Sequence, residues 1–315
     1  MVTKDLKIDL VYLWVDGDDP SWLEKKSRFL NLPYDNSETH NKGRYQDNDE
    51  LRYSLRSAHE YAPWIRKIFI VTDNQKPAWL NVDHPKIQVV DHQEIFPEGI
   101  LPCYNSSVIE YFLHKIPGVS EHFLFANDDM FFNAPVEPSF FFAEDGYPIL
   151  RLKPNRTPKF TYFLKSLRSK GVGQYAEMVH QSALRIEKKF GKFYSGTPHH
   201  NIDSYRKSDY KKAAEEVFSE EVLASQTHRV RTHGDLHRSA FSLYALSQGR
   251  AHLTYIDRYT SSRILIHKHD FNRFLNKYKP ILFCLNDSQR NNEAHRNSIA
   301  DLLTARFPNP SPFER

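Results

Sequence analysis

Two adjacent carboxylates follow an apolar run near the middle of the sequence. In the stretch LFANDDMFF, Asp128 and Asp129 stand directly before a second apolar segment. Neighbouring carboxylates repel each other, so a bound divalent cation is one way to offset the repulsion. A solvated turn at the end of a strand is the alternative, since Asn and Asp are common turn residues. These nine residues alone leave both interpretations open.

Further carboxylates occur at the same kind of position, just past an apolar run. They are Asp16, Asp19, Asp73 and Asp287. Six such residues along one edge of a sheet favour a site for a hard cation, Mg²⁺ or Mn²⁺. A nucleoside diphosphate bound through its phosphates requires such a cation. A lone Asp after a strand carries no such information, and Asp19 also fits a plain turn in the motif DGDDP.

Basic side chains that suit phosphate chemistry lie near these runs. Arg52 and Arg56 stand four residues apart on one face of a predicted helix, where they either contact solvent or hold phosphate. His233 directly precedes another predicted helix, in the stretch RTHGD. A helix N-terminus favours anions, so an imidazole there is placed to act as a general base on a hydroxyl. A turn residue with a solvated ring is the alternative for His233.

Two further pairs fit either chemistry or helix capping. Asp47 and Glu50, like Ser107 and Glu110, stand three residues apart at predicted helix starts. That is the spacing of a capping box, in which each side chain satisfies a backbone N–H group of the first turn. The sequence has no Gly-rich phosphate loop, no GxSxG elbow and no His or Cys spacing typical of structural zinc. We therefore expect a cation and arginines to bind phosphate.

Unbroken apolar runs alternate with helical patterns and predict a mostly parallel sheet flanked by helices. The predicted strands cover residues 8–15, 66–72, 86–90, 122–126 and 279–285. Such runs are typical of the parallel strands of α/β proteins, which are buried on both faces. Ligands of these folds bind beyond the carboxyl ends of the strands, where the carboxylates of this chain lie.

The chain is expected to form one catalytic α/β core with an insertion. The core combines residues 1–149 with residues 230–315. The stretch 150–229 is basic and loop-like at first and helical later, which predicts a helical insertion or lid within the same domain.

The composition is that of a globular protein and excludes several classes. Hydrophobic residues make up 40% of the 315 positions, which is enough for a core, and a net charge of +4 is too small for a nucleic-acid-binding protein. No apolar run approaches the roughly 18 residues of a membrane span, and the N-terminus lacks the apolar stretch of a signal peptide. Cys103 and Cys284 belong to no CxxC pair and favour a reducing compartment, although one bridge between them stays open.

Four groups of long stretches resemble the signature blocks of one family. They are, in chain order, IDLVYLWVDGDDP; RYQDNDELRYSLRSAHEYAPWIRKIFIVTDNQKPAWL with LPCYNSSVIEYFLHKIPGVSEHFLFANDDMFF; TPHHNID with VRTHGDLHRSAFSLY; and FCLND with FPNPSPFE. On these residues the chain resembles the Stealth family of sugar-1-phosphate transferases of bacterial capsule and exopolysaccharide synthesis. The family includes the α/β subunit of the animal N-acetylglucosamine-1-phosphotransferase. The resemblance is weakest over residues 150–195.

The resemblance implies a reaction, a fold and a set of partners. A nucleotide sugar, typically a UDP-hexose or UDP-N-acetylhexosamine, gives its sugar 1-phosphate to an acceptor hydroxyl, and nucleoside monophosphate leaves. The implied fold is Rossmann-like and similar to that of the A-type glycosyltransferases, with Mg²⁺ or Mn²⁺ as cofactor. The implied acceptor is an oligo- or polysaccharide. We expect a cytoplasmic protein, with peripheral contact at the inner face of the bacterial membrane where the acceptor is lipid-linked.

The resemblance also implies roles for individual residues. The metal ligands are expected among Asp128, Asp129, Asn286 and Asp287. The nucleotide is expected to contact Asp16, Gly17, Asp73 and Asn105. Arg52 is expected to contact phosphate, Asp128 to take part in catalysis and His233 to act as general base. His199 and Arg258 are secondary candidates for the chemical step.

Two other functions remain open on the sequence. An ordinary nucleotide-sugar glycosyltransferase, which releases nucleoside diphosphate, would share the same architecture and acidic motif. A non-catalytic carbohydrate-binding module would use the aromatic side chains, which are 14% of the chain, but would not need acidic strand ends.

Overall fold

The main sheet has five strands, four of them parallel. The structure, a computed structural model, describes residues 5–30, 45, 47–167, 172–267, 270–286 and 293–315. The strands of this sheet are β1 (Ile8–Leu13), β2 (Ile68–Thr72), β3 (Ile87–Asp91), β4 (His122–Asn127) and β8 (Asp203–Arg206). Their order across the sheet is β3-β2-β1-β4-β8, and β8 runs antiparallel to β4. The carboxyl ends of β1 to β4 therefore lie at one edge of the sheet.

Both faces of this sheet are buried, as unbroken apolar runs require. Val11 and Phe125 belong to the apolar cluster on one face, whereas Leu10 and Leu124 belong to the cluster on the other. All four side chains are inaccessible to solvent. Because successive residues of a strand point to opposite faces, the central strands are apolar at nearly every position, and the buried exception in β1, Asp9, pairs with Arg66 at 2.6 Å.

Helices cover both faces of the main sheet. Those of the first half are α1 (Pro20–Leu30), α2 (Glu50–Tyr61), α3 (His92–Ile95) and α4 (Ser106–Glu110). Those of the second half are α5 (Pro158–Ser166), α6 (Gln174–Phe190), α7 (Lys207–Lys212), α8 (Ser219–Ser225), α9 (Ser239–Ser247), α10 (Phe271–Tyr278) and α11 (Glu293–Arg306). Leu51 and Leu55 of α2 pack on one face of the main sheet, and Ala240 and Phe241 of α9 belong to the cluster on the other.

Two three-stranded sheets complete the fold. One contains β5 (Met130–Phe132), β10 (Ser261–Leu265) and β11 (Leu282–Asn286), in the order β10-β11-β5. The other contains β6 (Ile149–Lys153), β7 (Thr197–Pro198) and β9 (His252–Tyr255), in the order β7-β6-β9. Since only two residues separate β4 from β5, the pairing of β5 with β11 brings the end of β11 to the edge of the main sheet.

The expected α/β class, a mostly parallel sheet flanked by helices, is confirmed. Each of the five predicted strands exists, and the last of them, β11, joins the smaller sheet instead of the main one. The stretch 150–229 carries α5 to α8, and it also supplies β8 to the main sheet. The insertion is therefore joined to the core through β8, which pairs with β4.

Cys103 and Cys284 are both buried free thiols, so the bridge left open by the sequence does not form in this structure. In the part of the chain that is described, no helix is long and apolar enough to cross a membrane.

Candidate active site

The turns after β1 and β2 are tied to each other at the edge of the main sheet. Gln75 pairs with the backbone of Asp16, donating to its carbonyl at 3.0 Å and accepting from its N–H at 3.1 Å. The Asp73 carboxylate accepts from Lys25 Nζ at 2.6 Å. A Cβ on Gly17 would overlap the Tyr45 backbone carbonyl, so this close approach requires glycine. The structure thus brings together Asp16, Gly17 and Asp73, and their contact with a nucleotide stays a prediction.

The Asp128–Asp129 turn lies against the end of β11. The N–H of Leu285 donates to the Asp129 carbonyl at 3.0 Å, and the Cys284 thiol lies 3.2 Å from Asp129 Oδ2. Asn286, the last residue of β11, accepts from Arg263 at 2.5 Å. Three of the four expected metal ligands, Asp128, Asp129 and Asn286, are therefore neighbours. The fourth, Asp287, lies outside the described residues.

The start of α2 adds two carboxylates, which do not form the expected capping box. The N-cap residue of α2 is Asp49, whose backbone is left-handed and whose side chain makes no capping bond. The Asp47 carboxylate accepts from Trp14 Nε1 at 3.2 Å, and Glu50 is buried and accepts from Asn48. The capping-box interpretation of Asp47 and Glu50 was therefore wrong.

The capping box expected at Ser107 and Glu110 is also absent. Asn105 caps α4 instead, accepting from the N–H of Ser107 at 3.1 Å. Glu110 is buried at the other end of this short helix and pairs with Arg238. A spacing of three residues was not enough to identify the cap.

The four residues Asp47, Glu50, Asp128 and Asp129 form what we call the carboxylate cluster. Burial raises the pKa of Asp128 well above its usual range, and the neighbouring charges of Asp129 and Glu50 raise it further. Burial likewise raises the pKa of Glu50 to about 7 and that of Asp47 to about 6. The fold has concentrated negative charge where solvation is poor, which costs free energy unless a positive charge offsets it.

The carboxylate cluster fits a hard cation in charge and in donor type. Within the described residues, no three His, Cys, Asp or Glu side chains converge on one point as a complete metal cage. Mg²⁺ usually takes only one or two carboxylates and completes its shell with waters and substrate phosphates. Two adjacent carboxylates with the amide oxygen of Asn286 are a donor set of that kind.

The raised pKa values predict how stability depends on pH. A carboxyl group whose folded pKa is raised stabilises the fold while protonated, and this contribution is lost as pH rises through the folded pKa. Buried histidines have the opposite effect on stability. Burial lowers the pKa of His92 to about 4 and that of His200 to about 3, so their effect is to raise stability as pH rises to about 6.5, the usual pKa of histidine. Above about pH 6.5 the histidines no longer change stability with pH, so the decrease caused by the carboxyl groups remains. We expect the melting temperature without added cation to fall between about pH 6.5 and 8.

Calorimetry over this range, with and without MgCl₂ or MnCl₂, checks the expectation. Glu50→Gln should flatten the fall, because it removes the group with a pKa of about 7. Added cation should raise the melting temperature of the wild type most at the alkaline end. A flat profile, or a cation effect that is equal in Glu50→Gln, would contradict the proposed carboxylate cluster.

Arg52 and Arg56 lie against the C-terminal segment. Arg56 makes a bidentate pair with Glu314, at 2.7 and 2.9 Å. Arg52 pairs with Asp49 at 2.6 Å and stacks over the Trp79 ring. The guanidinium groups are thus already paired with carboxylates, and the contact of Arg52 with phosphate stays a prediction.

A histidine–aspartate pair lies beside α4. Asp235 is fully buried, and its Oδ1 lies 2.6 Å from Nδ1 of His228. Its Oδ2 accepts from Asn105 Nδ2 at 2.7 Å and from the Thr232 N–H at 2.9 Å. A carboxylate accepts hydrogen bonds, so Nδ1 of His228 carries the proton and Nε2 keeps its lone pair. The His228 side chain is 37% exposed, which leaves it accessible to a substrate.

This pair belongs to the same edge of the sheet as the acidic turns. The N–H of Tyr104 donates to the Arg229 carbonyl at 2.9 Å, which joins the loop of His228 to the start of α4. The Tyr104 ring packs edge-on against Trp22 of α1 at 5.4 Å. The loop therefore packs against α1, which follows the Asp16 turn.

His233, the base expected from the sequence, is exposed and lies between Thr232 and Asp235 in chain order. The loop directs the buried Asp235 carboxylate to His228, a residue that sequence reasoning missed. Nothing in the stretch THRVRTHGD indicates which of its two imidazoles receives the aspartate. The role of His233 stays a prediction.

Three arginines surround His200 and form a basic cluster. Arg231, Arg238 and Arg263 all act on His200, whose pKa is lowered to about 3 by burial and by these positive charges. Arg238 is buried and pairs with Glu110 at 3.2 Å and with Asp203 at 3.0 Å, which indicates a structural role. Arg263 is exposed and reaches Asn286, and thereby links the basic cluster to the carboxylate cluster. Arg263 lies on β10, a strand that the sequence did not predict.

The secondary candidates fall in different surroundings. His199 is buried between Ser261 and Asp203, each at 2.9 Å, which makes it part of the structural network around Arg238. Arg258 is exposed and donates to the Tyr278 hydroxyl at 3.0 Å, on the surface beside α10.

The comparisons with known proteins agree with the order of the motifs. Stealth protein CR1, conserved region 1, matches residues 6–32, and Stealth protein CR2, conserved region 2, matches residues 44–150. An exopolysaccharide phosphotransferase of Streptomyces coelicolor is 36% identical over 98% of this chain and 51% of its own length. A capsular polysaccharide phosphotransferase of Haemophilus influenzae is 34% identical over 94% of this chain and 83% of its own length. The chain spans about half the length of the Streptomyces relatives it matches.

Among solved structures, a galactosyltransferase in complex with donor and acceptor sugar analogs aligns with this protein over 96% of each chain, at 8% identity and a TM-score of 0.49. Mouse xyloside xylosyltransferase 1 aligns at 10% identity and a TM-score of 0.40. The sequence relatives carry the assignment, because one of them shares 34% of its residues over most of both lengths. This chain belongs to the Stealth family.

Proposed function

We propose that this protein transfers a sugar 1-phosphate from a nucleotide sugar to a hydroxyl group of an acceptor glycan, in the synthesis of a capsule or exopolysaccharide. The donor we favour is a UDP-hexose or UDP-N-acetylhexosamine. The names of the Streptomyces and Haemophilus relatives support phosphotransfer in polysaccharide synthesis. The choice of donor follows from the resemblance to the Stealth family.

One observation carries the proposal: carboxylates and an arginine meet at the edge where parallel strands end. Asp128 and Asp129 lie beside Asn286, and Arg263 donates to that same Asn286. A diphosphate with a bound cation presents positive and negative charge together. The cation needs oxygen ligands from the protein, and the outer phosphate oxygens need hydrogen-bond donors. Neighbouring acidic and basic side chains match this charge pattern.

The reaction consists of one displacement at phosphorus. The acceptor oxygen attacks the β-phosphorus of the donor, and the new P–O bond forms as the bond to the bridging oxygen breaks. The nucleoside monophosphate leaves with the bonding electrons. Arg263 is placed to stabilise the charge that spreads over the phosphoryl oxygens. A bound Mg²⁺ or Mn²⁺, held by Asp128 and Asp129, supplies further positive charge to the diphosphate.

His228 is the group we assign to the acceptor proton. Its Nδ1 is held by Asp235 at 2.6 Å, so the proton of the hydroxyl goes to Nε2. The resulting imidazolium is stabilised by the buried Asp235 carboxylate. Asp235 thus fixes both the tautomer and the orientation of the ring.

Product analysis distinguishes this function from glycosyl transfer. We expect phosphorus NMR of a reaction with the cognate nucleotide sugar to give a phosphodiester resonance in the glycan, with one nucleoside monophosphate released per bond formed. A screen of nucleotide sugars identifies the donor. Release of nucleoside diphosphate, with no phosphorus in the glycan, would establish the alternative glycosyltransferase and refute phosphotransfer.

A further inference from the structure

Helix α5 presents its apolar side to solvent. Its apolar side chains Phe160, Phe163, Leu164 and Leu167 are 59%, 55%, 45% and 68% exposed. These positions have the spacing i, i+3, i+4 and i+7, so they form one continuous stripe along the helix. No residue of α5 is buried. Four of the eight large hydrophobic side chains exposed in the described part of the chain therefore lie together on two turns.

The opposite, polar side of α5 is the side that packs on the protein. Tyr162 stacks on the His180 ring of α6 at 3.8 Å and donates to Glu177. Lys159 pairs with Glu187 of α6 at 2.7 Å. A surface helix normally packs its apolar stripe on the protein, whereas α5 contacts α6 through polar side chains and leaves its stripe in solvent. Contacts with α6 thus hold the stripe outward.

The segment that carries the stripe is basic, and the two carboxylates that contact α5, Glu177 and Glu187, lie on its α6 side. From residue 146 to residue 176 the sequence has seven Lys or Arg residues and no Asp or Glu. Lys153, Arg156 and Lys165 are exposed near the stripe. An apolar stripe bordered by cations is the pattern of a helix that lies in the interface of an anionic bilayer, with its apolar side chains among the lipid tails.

We propose that α5 docks this protein on the surface of an anionic lipid membrane. A polyanionic glycan would satisfy the positive charge and could stack on Phe160 and Phe163, but it would leave Leu164 and Leu167 without an apolar partner. A lipid bilayer uses both the charge and the stripe. The proposal is independent of the reaction at the sheet edge, because binding is measured without substrate.

Vesicle co-sedimentation tests the proposal. The full chain should bind vesicles of phosphatidylcholine with phosphatidylglycerol, and bind pure phosphatidylcholine vesicles far more weakly. Phe163→Ser with Leu167→Ser should lower the partition coefficient about tenfold or more, because two apolar side chains no longer enter the bilayer. High salt should weaken binding of the wild type, because screening shortens the range of the attraction to roughly 3 Å at 1 M.

Leu223→Ser is the matched control. Leu223 is a 60% exposed leucine on α8, beside Glu220 and Glu221, so its loss should leave vesicle binding unchanged. Thermal unfolding of all variants checks that the fold survives, as expected for side chains already in solvent.

Three outcomes would overturn the proposal. The first is failure of the wild type to bind anionic vesicles. The second is equal vesicle binding by the wild type and the Phe163/Leu167 double variant. The third is a dimer in sedimentation velocity that the double variant dissociates, because the stripe would then be covered by a second copy of the chain.

Discussion

Asp128→Asn should reduce turnover by at least about 10²-fold while the protein stays folded and at least as stable as the wild type. Ionisation of the Asp128 carboxyl group opposes folding, because burial and the charges of Asp129 and Glu50 raise its pKa well above the usual range. Asparagine keeps the shape and removes the charge. Activity and stability should therefore change in opposite directions, which is the mark of a group retained for function.

Initial rates with the donor identified by phosphorus NMR, together with melting temperatures at neutral pH, measure both effects. Asp145→Asn is the matched control, since Asp145 is an exposed carboxylate in a surface pair with His252. It should change neither quantity. Normal turnover by Asp128→Asn, or loss of its fold, would contradict the assignment of Asp128 to the reaction.

His228→Ala should lower kcat by roughly 10²-fold or more, and KM for the donor should change little. The reason is the geometry of the ring: Asp235 lies 2.6 Å from Nδ1 and leaves Nε2 as the proton acceptor. His233→Ala removes an exposed imidazole five residues later and is the internal comparison. We expect a much smaller effect from it.

Chemical rescue separates a proton acceptor from a structural residue. Added imidazole should restore part of the rate of His228→Ala, because a small base can occupy the space left by the ring. It should not restore Asp235→Asn, in which the ring is still present. If His233→Ala is the slower variant and His228→Ala is near normal, the base predicted from the sequence is correct and our structural assignment is wrong.

The sequence was sufficient to predict the elements that are buried on both faces. Strands β1, β2 and β4 are unbroken apolar runs, and such runs have few other places in a soluble fold. The position of Asp128 and Asp129 followed from the same patterns, because the carboxyl ends of parallel strands share an edge. Strand β10, with Arg263, was missed because its sequence, SSRIL, begins with three polar residues and forms no apolar run.

The remaining features depend on contacts between distant parts of the chain. Capping-box spacing at Asp47 and Glu50 did not reveal which N–H groups the two carboxylates accept: Asp47 accepts from Asp49 at 2.8 Å and Glu50 from Asn48 at 2.7 Å, which is not the reciprocal pairing of a capping box. The sequence left Arg52 available to phosphate, because it could not show that Glu314 lies 3.7 Å from its Nε atom in the fold. Likewise, the basic stretch that was expected to be loop-like forms α5, a helix whose polar side packs on α6.

The central claim is that the carboxylate cluster holds a divalent cation on the diphosphate of the donor. Pulsed electron paramagnetic resonance of Mn²⁺ with UDP and the protein measures this directly, through the hyperfine coupling between the metal and ³¹P. We predict a protein-bound Mn²⁺ coupled to phosphorus in the wild type, and its loss in Asp128→Asn. A Mn²⁺–phosphorus signal of equal strength in both proteins, or protein-bound Mn²⁺ with no phosphorus coupling, would contradict the account.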